Sequence, residues 1–244
     1  GKRKGLKDKR GNLIITFINM LSILKPKIFL IENVKGLLNH NNGKTFKTII
    51  NKIKKLKLYK IYYKVLNSND YSVPQNRERL IIIGVINTIT KTYEFPKIHE
   101  KKLVLKDVLT KCPKSDGLKY SKDKYNVMKL VPMGGCWINL PIDIQKKYMK
   151  KSYYSGGGKR GIAKRLDMNK PSLTLLTTPS QKQTERCHPI ETRPLQILEY
   201  ARIQTFPDNY NFSGSINQKY KQIGNAVPIK LAEALALSII EILS

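Results

Sequence analysis

The chain has 244 residues, which is long enough to bury a core and to form one large or two small domains. Its 46 lysines and arginines against 17 acidic residues give a formal net charge of +29, which favours a polyanionic partner such as nucleic acid over solvated lysines from AT-rich coding sequence. Three cysteines and three scattered histidines disfavour a disulfide framework and a metal site, and no apolar run is long enough for a membrane span.

The first 86 residues alternate between helical and strand patterns. Residues 12–24 space their apolar side chains as one helix face that Pro26 ends, and residues 27–31 form an apolar run, typical of a buried strand, that ends at Glu32. A helix is predicted over residues 44–56, and strands are predicted over residues 59–66 and 80–85. This alternation predicts the trailing part of a parallel-type α/β sheet.

The rest of the chain divides into two further parts. Residues 95–190 hold scattered glycine, proline and lysine with little periodicity, so we expect a separate, loop-rich lobe. Residues 191–244 contain predicted helices over 194–204 and 228–243. We therefore expect an α/β part over residues 1–94, a separate loop-rich lobe over residues 95–190, and closing helices within residues 191–244.

Glu32 stands where the first predicted strand ends, which is the usual place for ligands and catalytic groups in α/β folds. The plainer interpretation is a structural acid that caps a loop or pairs with a lysine. The surrounding sequence, Glu32-Asn33-Val34 followed by a lysine and a glycine, favours the functional interpretation.

Two further segments carry candidate functional groups. Arg77 and Arg79 precede the third predicted strand at a spacing of two, so we expect both on one face, where a fixed guanidinium pair can hold carbonyl oxygens and phosphates. The alternative is a solvated edge with Glu78 as the salt partner. Residues 224–228 form a Gly-Asn turn before the last helix, which suits a carboxylate or ribose ligand or is simply a turn.

Taken in order, these segments resemble the second half of the DNA (cytosine-5) methyltransferase family. The resemblance covers nearly all of the chain and is sharp at both ends and loose in the middle. The matching stretches are residues 5–13, 32–34, 66–71, 75–79, 193–208 and 222–228. It implies that residues 1–94 are the latter part of a catalytic domain with a Rossmann-like methyltransferase sheet, that residues 95–190 are a target-recognition lobe, and that residues 191–244 return to the catalytic domain. It further implies S-adenosylmethionine as cofactor and double-stranded DNA as substrate. It also implies a location wherever that DNA lies, in cytoplasm, nucleoid or nucleus, without secretion.

The resemblance assigns roles to individual residues. Glu32 matches the glutamate that hydrogen-bonds N3 and N4 of a flipped-out cytosine, Arg79 matches the arginine that reaches O2, and Arg77 supports the same site. Leu13, Asn225, Ala226 and Val227 match segments that contact the cofactor. Arg193 to Arg202 match the helix that organises the recognition lobe.

Contacts to DNA are expected from two basic regions. Lys2, Arg3, Lys4 and Arg10 match the end of a mobile catalytic loop, and their charges suit phosphates. In the lobe, a glycine-rich loop formally fits a dinucleotide fingerprint but follows no apolar strand, so its cations are expected on the DNA backbone. The candidates there are Lys159, Arg160, Lys164 and Arg165 for phosphates, and Gln181, Lys182, Gln183 and Arg186 for base edges.

The family's glycine-rich cofactor loop and its Pro-Cys nucleophile have no counterpart in this chain. Cys112, Cys136 and Cys187 all follow Glu32, on the wrong side of the motif order. We therefore expect a fragment that is inactive alone, either a truncated sequence or one chain of a split enzyme that a separate polypeptide carrying the cysteine completes. The alternatives are a non-catalytic DNA-recognition subunit and a tRNA cytosine methyltransferase; whether a restriction endonuclease accompanies the enzyme is open.

Overall fold

The computed structural model describes residues 9–244, with the backbone alone described for residues 9–12. The helices are α1 (Lys9–Leu24), α2 (Lys44–Lys55), α3 (Leu105–Leu109), α4 (Lys122–Lys129), α5 (Ile142–Met149), α6 (Lys151–Tyr154), α7 (Ile197–Ile203), α8 (Ile216–Asn225) and α9 (Ile229–Leu243). The strands are β1 (Ile28–Val34), β2 (Tyr59–Asn67), β3 (Gln75–Asn76), β4 (Glu78–Ile86) and β5 (Ser172–Leu173). Among residues 9–244, no helix is both long and apolar enough to cross a bilayer.

The described residues form two compact units. The sheet unit comprises the residues up to Asn67 together with Glu78–Lys97 and Glu233–Ser244. The lobe unit comprises Ser68–Arg77 and Ile98–Ala232. The three-part division by role that the sequence suggests stays a prediction, because the packing of the chain does not test those roles.

The sheet unit contains β1, β4 and β2 side by side in that order, and β4 pairs antiparallel with both neighbours. The predicted strands and helices of this region are confirmed, but the expectation of parallel pairing between them is wrong. Parallel neighbours need a long crossover between them, whereas β2 continues into β4 through residues 68–77, which contain no α-helix. The apolar sequence of β4 reflects its central position, where Leu80 to Ile83 are fully buried.

Helices α1 and α2 cover the sheet. Ile18 and Leu21 of α1 and Ile49 and Ile53 of α2 are buried in one cluster with Phe29 of the sheet. The helix pattern of α2 is strict, since its buried positions recur at spacings of three and four residues while its lysines stay exposed. This packing fixes the face of the sheet and thereby the register of β1 against β4.

The lobe unit has two apolar clusters. One contains Leu105, Leu175, Tyr200 and Tyr220, and the other contains Met128, Met149 and Cys187 with their neighbours. The short helices α3 to α6 lie in the region expected to be a loop-rich lobe, although most residues of that region belong to no helix or strand. These helices are short, so their sequences hold too few turns for a clear period.

Candidate active site and nucleic-acid interface

Glu32 and Arg79 meet on one face of the sheet unit. In the antiparallel register Glu32 lies opposite Ile81 and Arg79 lies opposite Val34, so the two side chains are diagonal neighbours. Arg79 Nε lies 2.8 Å from Glu32 Oε1, and Arg79 Nη1 donates to the backbone oxygen of Glu78 at 2.8 Å. The side chains are 28% (Glu32) and 12% (Arg79) exposed, so the pair is sheltered yet open to a ligand.

The surroundings of Arg79 act on its pKa in two opposing ways. Burial lowers the pKa of the Arg79 guanidinium from its ordinary value, and the facing carboxylate of Glu32 offsets part of that effect. An arginine remains charged at neutral pH despite such a shift. The pair therefore presents a fixed cation beside a carboxyl group.

The placement of Glu32 differs from the prediction in one respect. Glu32 lies within β1, which continues to Val34, whereas the sequence placed it at the strand end. The apolar run alone marked the predicted end, but Glu32 and Asn33 continue the ladder opposite Ile81 and Leu80. Glu78, which precedes Arg79 in the chain, pairs with Lys35 at 2.9 Å on an exposed surface, where a salt bridge contributes little to stability.

Arg77 does not share a strand face with Arg79, so that expectation is wrong. Arg77 lies in the break between β3 and β4 and is 3% exposed. Its Nη1 donates to Leu175 O at 3.0 Å, and its Nη2 donates to Gly224 O at 3.0 Å and Ala226 O at 3.2 Å. Arg77 thus holds backbone carbonyls of the lobe unit, which makes it a positioning residue.

Two buried glutamines complete this arrangement, and no pattern in the sequence marks either one as an organising residue. Gln75 Nε2 donates to Gln204 Oε1 at 2.9 Å, and Gln75 Oε1 accepts from Leu175 N at 2.9 Å. Gln204 Nε2 donates to Ile223 O at 2.7 Å. Gln75 and Gln204 each lie two residues from an arginine of the matching stretches, and their complete burial is evident only from the fold.

The predicted cofactor segment lies at a helix end. Gly224 and Asn225 close α8, so the predicted Gly-Asn turn at the N-terminus of the last helix is wrong. The first amides of α9 are already used, because Ile229 N donates to Gln204 O and Lys230 N donates to Thr205 Oγ1. An anion site at that helix start is therefore not supported.

The remaining cofactor candidates have mixed surroundings. Asn225 is exposed, while Ala226 and Val227 are half-buried, so one polar amide stands beside two small apolar side chains. The contact of these three residues with S-adenosylmethionine stays a prediction. Leu13 is 68% exposed on α1, and its cofactor role stays a prediction.

The DNA candidates in the lobe separate into exposed and buried groups. Arg160, Gln181 and Gln183 are exposed and accessible to a large ligand. Lys159 is half-buried, and its Nζ donates to the backbone oxygens of Ser152 and Ser155. Lys2, Arg3 and Lys4, and the side chain of Arg10, lie outside the described residues, so their expected phosphate contacts stay predictions.

Arg186 and Arg165 are buried and hydrogen-bonded to backbone oxygens, which argues against the DNA contacts expected of them. Arg186 is 5% exposed and donates to Thr174 O at 2.8 Å and Glu185 O at 2.7 Å. Arg165 is 4% exposed and its guanidinium donates to backbone oxygens that include Val131 O at 2.7 Å. A guanidinium fork suits carbonyls as well as phosphates, and the sequence alone does not separate the two uses.

The cysteines of the described chain lack the surroundings of a nucleophile. Cys112 is half-buried, and Cys136 and Cys187 are buried. Burial raises the pKa of the Cys112 and Cys187 thiols above their ordinary value, which disfavours the reactive thiolate. Within residues 9–244, no group of three His, Cys, Asp or Glu side chains is arranged to hold a metal ion.

Comparisons with known proteins agree with one another. A profile of the family described as C-5 cytosine-specific DNA methylase matches residues 1–241. The chain is 52% identical over 248 residues to Type II methyltransferase M.Sau96I of Staphylococcus aureus and 50% identical over 252 residues to Type II methyltransferase M.Eco47II of Escherichia coli. All of the chain is matched in both, but it spans 57% and 60% of their lengths.

A solved structure shows the same fold. The methyltransferase EhMeth of Entamoeba histolytica superposes with a TM-score of 0.61 at 18% identity, over 98% of this chain and 71% of that chain. At this identity the likeness concerns the fold alone.

Proposed function

The chain belongs to the C-5 cytosine-specific DNA methylase family, and on that premise we propose that it forms the cytosine-holding and DNA-recognition part of a DNA (cytosine-5-)-methyltransferase. The observation that carries the proposal is the Glu32–Arg79 pair, held at 2.8 Å on adjacent strands. The resemblance implies that both residues bind the same cytosine, and their direct contact supports a shared ligand. The supporting observations are the net charge of +29 and the exposed polar residues of the lobe unit.

The chemistry explains why a carboxyl group and a guanidinium are needed. Carbon 5 of cytosine is a weak nucleophile, and addition of a thiolate at C6 increases electron density in the ring. Negative charge then develops at N3 and O2, where fixed donors stabilise the transition state. In the proposal Glu32 binds the N3 and N4 edge, and Arg79 donates to O2, with Glu78 O keeping its guanidinium in place.

The base has to leave the helix to reach these groups, because base pairing occupies its N3 edge and stacking covers the ring faces through which a thiolate adds at C6. In the proposal the lobe unit binds the surrounding duplex, with Gln181 and Gln183 at base edges and Arg160 at phosphates. Asn225, Ala226 and Val227 contact the cofactor, and Arg77, Gln75 and Gln204 hold that segment. S-adenosylmethionine, when bound, supplies the methyl group.

The nucleophilic cysteine of the proposal comes from another segment or polypeptide. In the sheet unit β1 pairs with β4 on one side, and no other described strand occupies its opposite edge. Large apolar side chains of α1 and α9 are exposed, including Ile23 at 76%, Leu24 at 66% and Leu237 at 61%. Such surfaces favour burial against additional protein, and we infer that the completing polypeptide covers them.

The test uses this chain joined to the part of the Staphylococcus aureus relative that it does not match. Transfer of labelled methyl groups from S-adenosylmethionine to duplex DNA is measured for the joined protein, for Glu32→Gln and for Glu78→Gln. Glu32→Gln should lower the rate about 100-fold or more with DNA binding retained, because it removes a transition-state contact. Glu78→Gln, a neighbouring glutamate on the exposed surface, should leave the rate unchanged. Equal rates for the two variants would remove Glu32 from the mechanism.

A further inference from the structure

A cleft in the lobe unit combines exposed lysines at its mouth with an apolar floor. It lies between α4, α5 and the segment that contains Ser180 and Lys182, and its volume is about 750 Å³. We call it the lysine cleft and define it by Val127, Ile144, Tyr148, Lys147, Lys150 and Lys182. Ligand sites commonly have volumes of about 300–1,000 Å³.

One wall of the lysine cleft is fixed by a buried ion pair. Lys124 of α4 pairs with Glu185, whose side chain is fully buried, and Lys124 Nζ also donates to Ser180 O at 3.0 Å. Tyr120 OH donates to the same carboxylate at 2.8 Å. These contacts hold α4 against the segment after Ser180 and use the charge of Lys124 internally.

The cations at the mouth have a different environment. Lys147, Lys150 and Lys182 are exposed, and Lys182 Nζ lies 5.6 Å from the centroid of the Tyr148 ring. Asp123 is the acidic residue that faces them among the described residues lining the cleft. Three cations against one acid leave an excess of positive charge around a floor of half-buried apolar side chains.

We propose that the lysine cleft binds the sugar–phosphate backbone of a DNA strand. Phosphate oxygens contact Lys147, Lys150 and Lys182, and the deoxyribose carbons pack against Val127, Ile144 and Tyr148. A backbone segment alternates anionic and apolar groups and therefore matches both the mouth and the floor. This inference rests on the proposed function, which brings DNA to the lobe. It assigns Lys182 to a phosphate rather than to the base edge expected from the sequence, and it replaces the phosphate contact expected of the buried Arg165.

The charge of the chain favours DNA over an acidic peptide as the occupant. The three lysines of the cleft account for only a small part of the net charge of +29. The exposed Gln181 and Gln183 adjoin Lys182 in the sequence, and both are expected to recognise base edges. A DNA duplex is long enough to contact the cleft, the neighbouring glutamines and further positive charge at the same time. An acidic peptide is kept as a competing outcome of the test.

The test measures DNA affinity against salt concentration by fluorescence anisotropy, with a labelled duplex and with one of its strands, in the absence of cofactor. The variant carries Lys147→Gln, Lys150→Gln and Lys182→Gln together. The matched control carries Lys52→Gln, Lys54→Gln and Lys55→Gln on the exposed face of α2, with the same loss of charge. Each phosphate contact contributes roughly 0.9 to the magnitude of the slope of log K against log salt. If all three contacts are made, the slope measured with the duplex should therefore be smaller in magnitude by about 2.7 in the cleft variant.

A second, single substitution guards against misfolding of the triple variant. Asn126 is exposed and lines the cleft, so Asn126→Asp adds an anion there, whereas Asn51→Asp adds the same charge on α2. We expect Asn126→Asp to weaken DNA binding at low salt several-fold more than Asn51→Asp. Weaker binding of the duplex identifies a paired strand as the occupant of the cleft. Weaker binding of the single strand identifies an unpaired strand.

Three results would overturn the proposal. One is an equal loss of slope in the cleft variant and the α2 variant. Another is an unchanged slope in the cleft variant with both DNA forms. The third is an acidic peptide that binds in the cleft without displacing either form of DNA. This assay contains no cofactor and measures no methyl transfer, so the salt dependence of DNA binding can be determined even if the methyltransferase proposal is wrong. Conversely, methyl transfer can be measured even if the cleft does not bind DNA.

Discussion

Substitution of Gly224 by alanine tests whether the end of α8 is held against a fixed backbone. A Cβ atom at this position would lie 2.0 Å from Leu176 O, 2.5 Å from Leu176 C and 3.0 Å from Thr177 N. All three atoms belong to the main chain, so no flexible side chain can move aside. Leu176 is itself held by Tyr200, whose OH donates to Leu176 O at 3.0 Å from a fully buried position.

The magnitude follows from two opposing effects. Glycine to alanine in a helix normally stabilises by about 0.5–1 kcal/mol, because alanine restricts the unfolded chain. Here the contact at 2.0 Å has to open to an ordinary van der Waals distance, and overpacking of this kind costs about 1–3 kcal/mol or more. We therefore expect Gly224→Ala to lower the free energy of unfolding, by about 1–2 kcal/mol.

The assay is urea unfolding followed by circular dichroism, with Gly156→Ala as the matched control. Nothing lies within 4 Å of a Cβ at Gly156, so that variant should be neutral or slightly stabilised. The difference between the two variants removes the common effect on the unfolded chain. A Gly224→Ala protein as stable as the Gly156→Ala protein would refute the close approach of α8 to Leu176.

Three further predictions follow from the contacts described above. Arg79→Ala in the joined protein should reduce covalent trapping on DNA that contains 5-fluorocytosine by about 100-fold, and normal trapping would exclude Arg79 from the base pocket. Arg165→Met should cost about 3–5 kcal/mol in urea unfolding because it leaves buried carbonyls unpaired, whereas exposed Arg160→Met should cost under about 0.5 kcal/mol. Burial lowers the pKa of His188, whose Nδ1 accepts from the amides of residues 190 and 191, so unfolded chains bind the proton more readily and stability should fall as pH drops below about 6.5. His188→Gln should flatten that pH dependence, and an unchanged slope would contradict the assignment.

The strands and helices of the sheet unit were predictable from the spacing or the clustering of their apolar residues. Apolar residues in α2 recur at helical spacing, and β4 contains an apolar run from Leu80 that follows the polar Glu78 and Arg79. The pairing direction was predicted wrongly, since an apolar run indicates burial on both faces and says nothing about the orientation of its neighbours. Burial of β4 comes here from its central place between two antiparallel partners.

Helix α8 was missed because its apolar residues are few. Tyr220 and Ile223 are its large buried side chains, and the glycine near its end suggested a turn. A local signal was nevertheless present, since Ser215 and Gln218 form a capping box at its start. That box predicts a helix directly after Ser215 and shifts the Gly224-Asn225 pair to a helix end.

The candidate site was predicted best where two residues act together across strands. Glu32 and Arg79 were assigned to one ligand from the resemblance, and the register of β1 and β4 brings them into contact. Arg77 and Arg186 were assigned less well, because an arginine that binds buried carbonyls looks the same in sequence as one that binds phosphate. Their distinction depends on burial, which arises from residues distant in the chain.

The most direct test of the central proposal is mass spectrometry of nucleosides from duplex DNA treated with S-adenosylmethionine and the joined protein. We predict 5-methylcytosine in DNA, its loss with Glu32→Gln, and its absence from tRNA treated in the same way. The intact Staphylococcus aureus relative serves as the reference for an active preparation. Methylation at another base or at another atom of cytosine, or no methylation by a folded joined protein that binds DNA, would contradict the account.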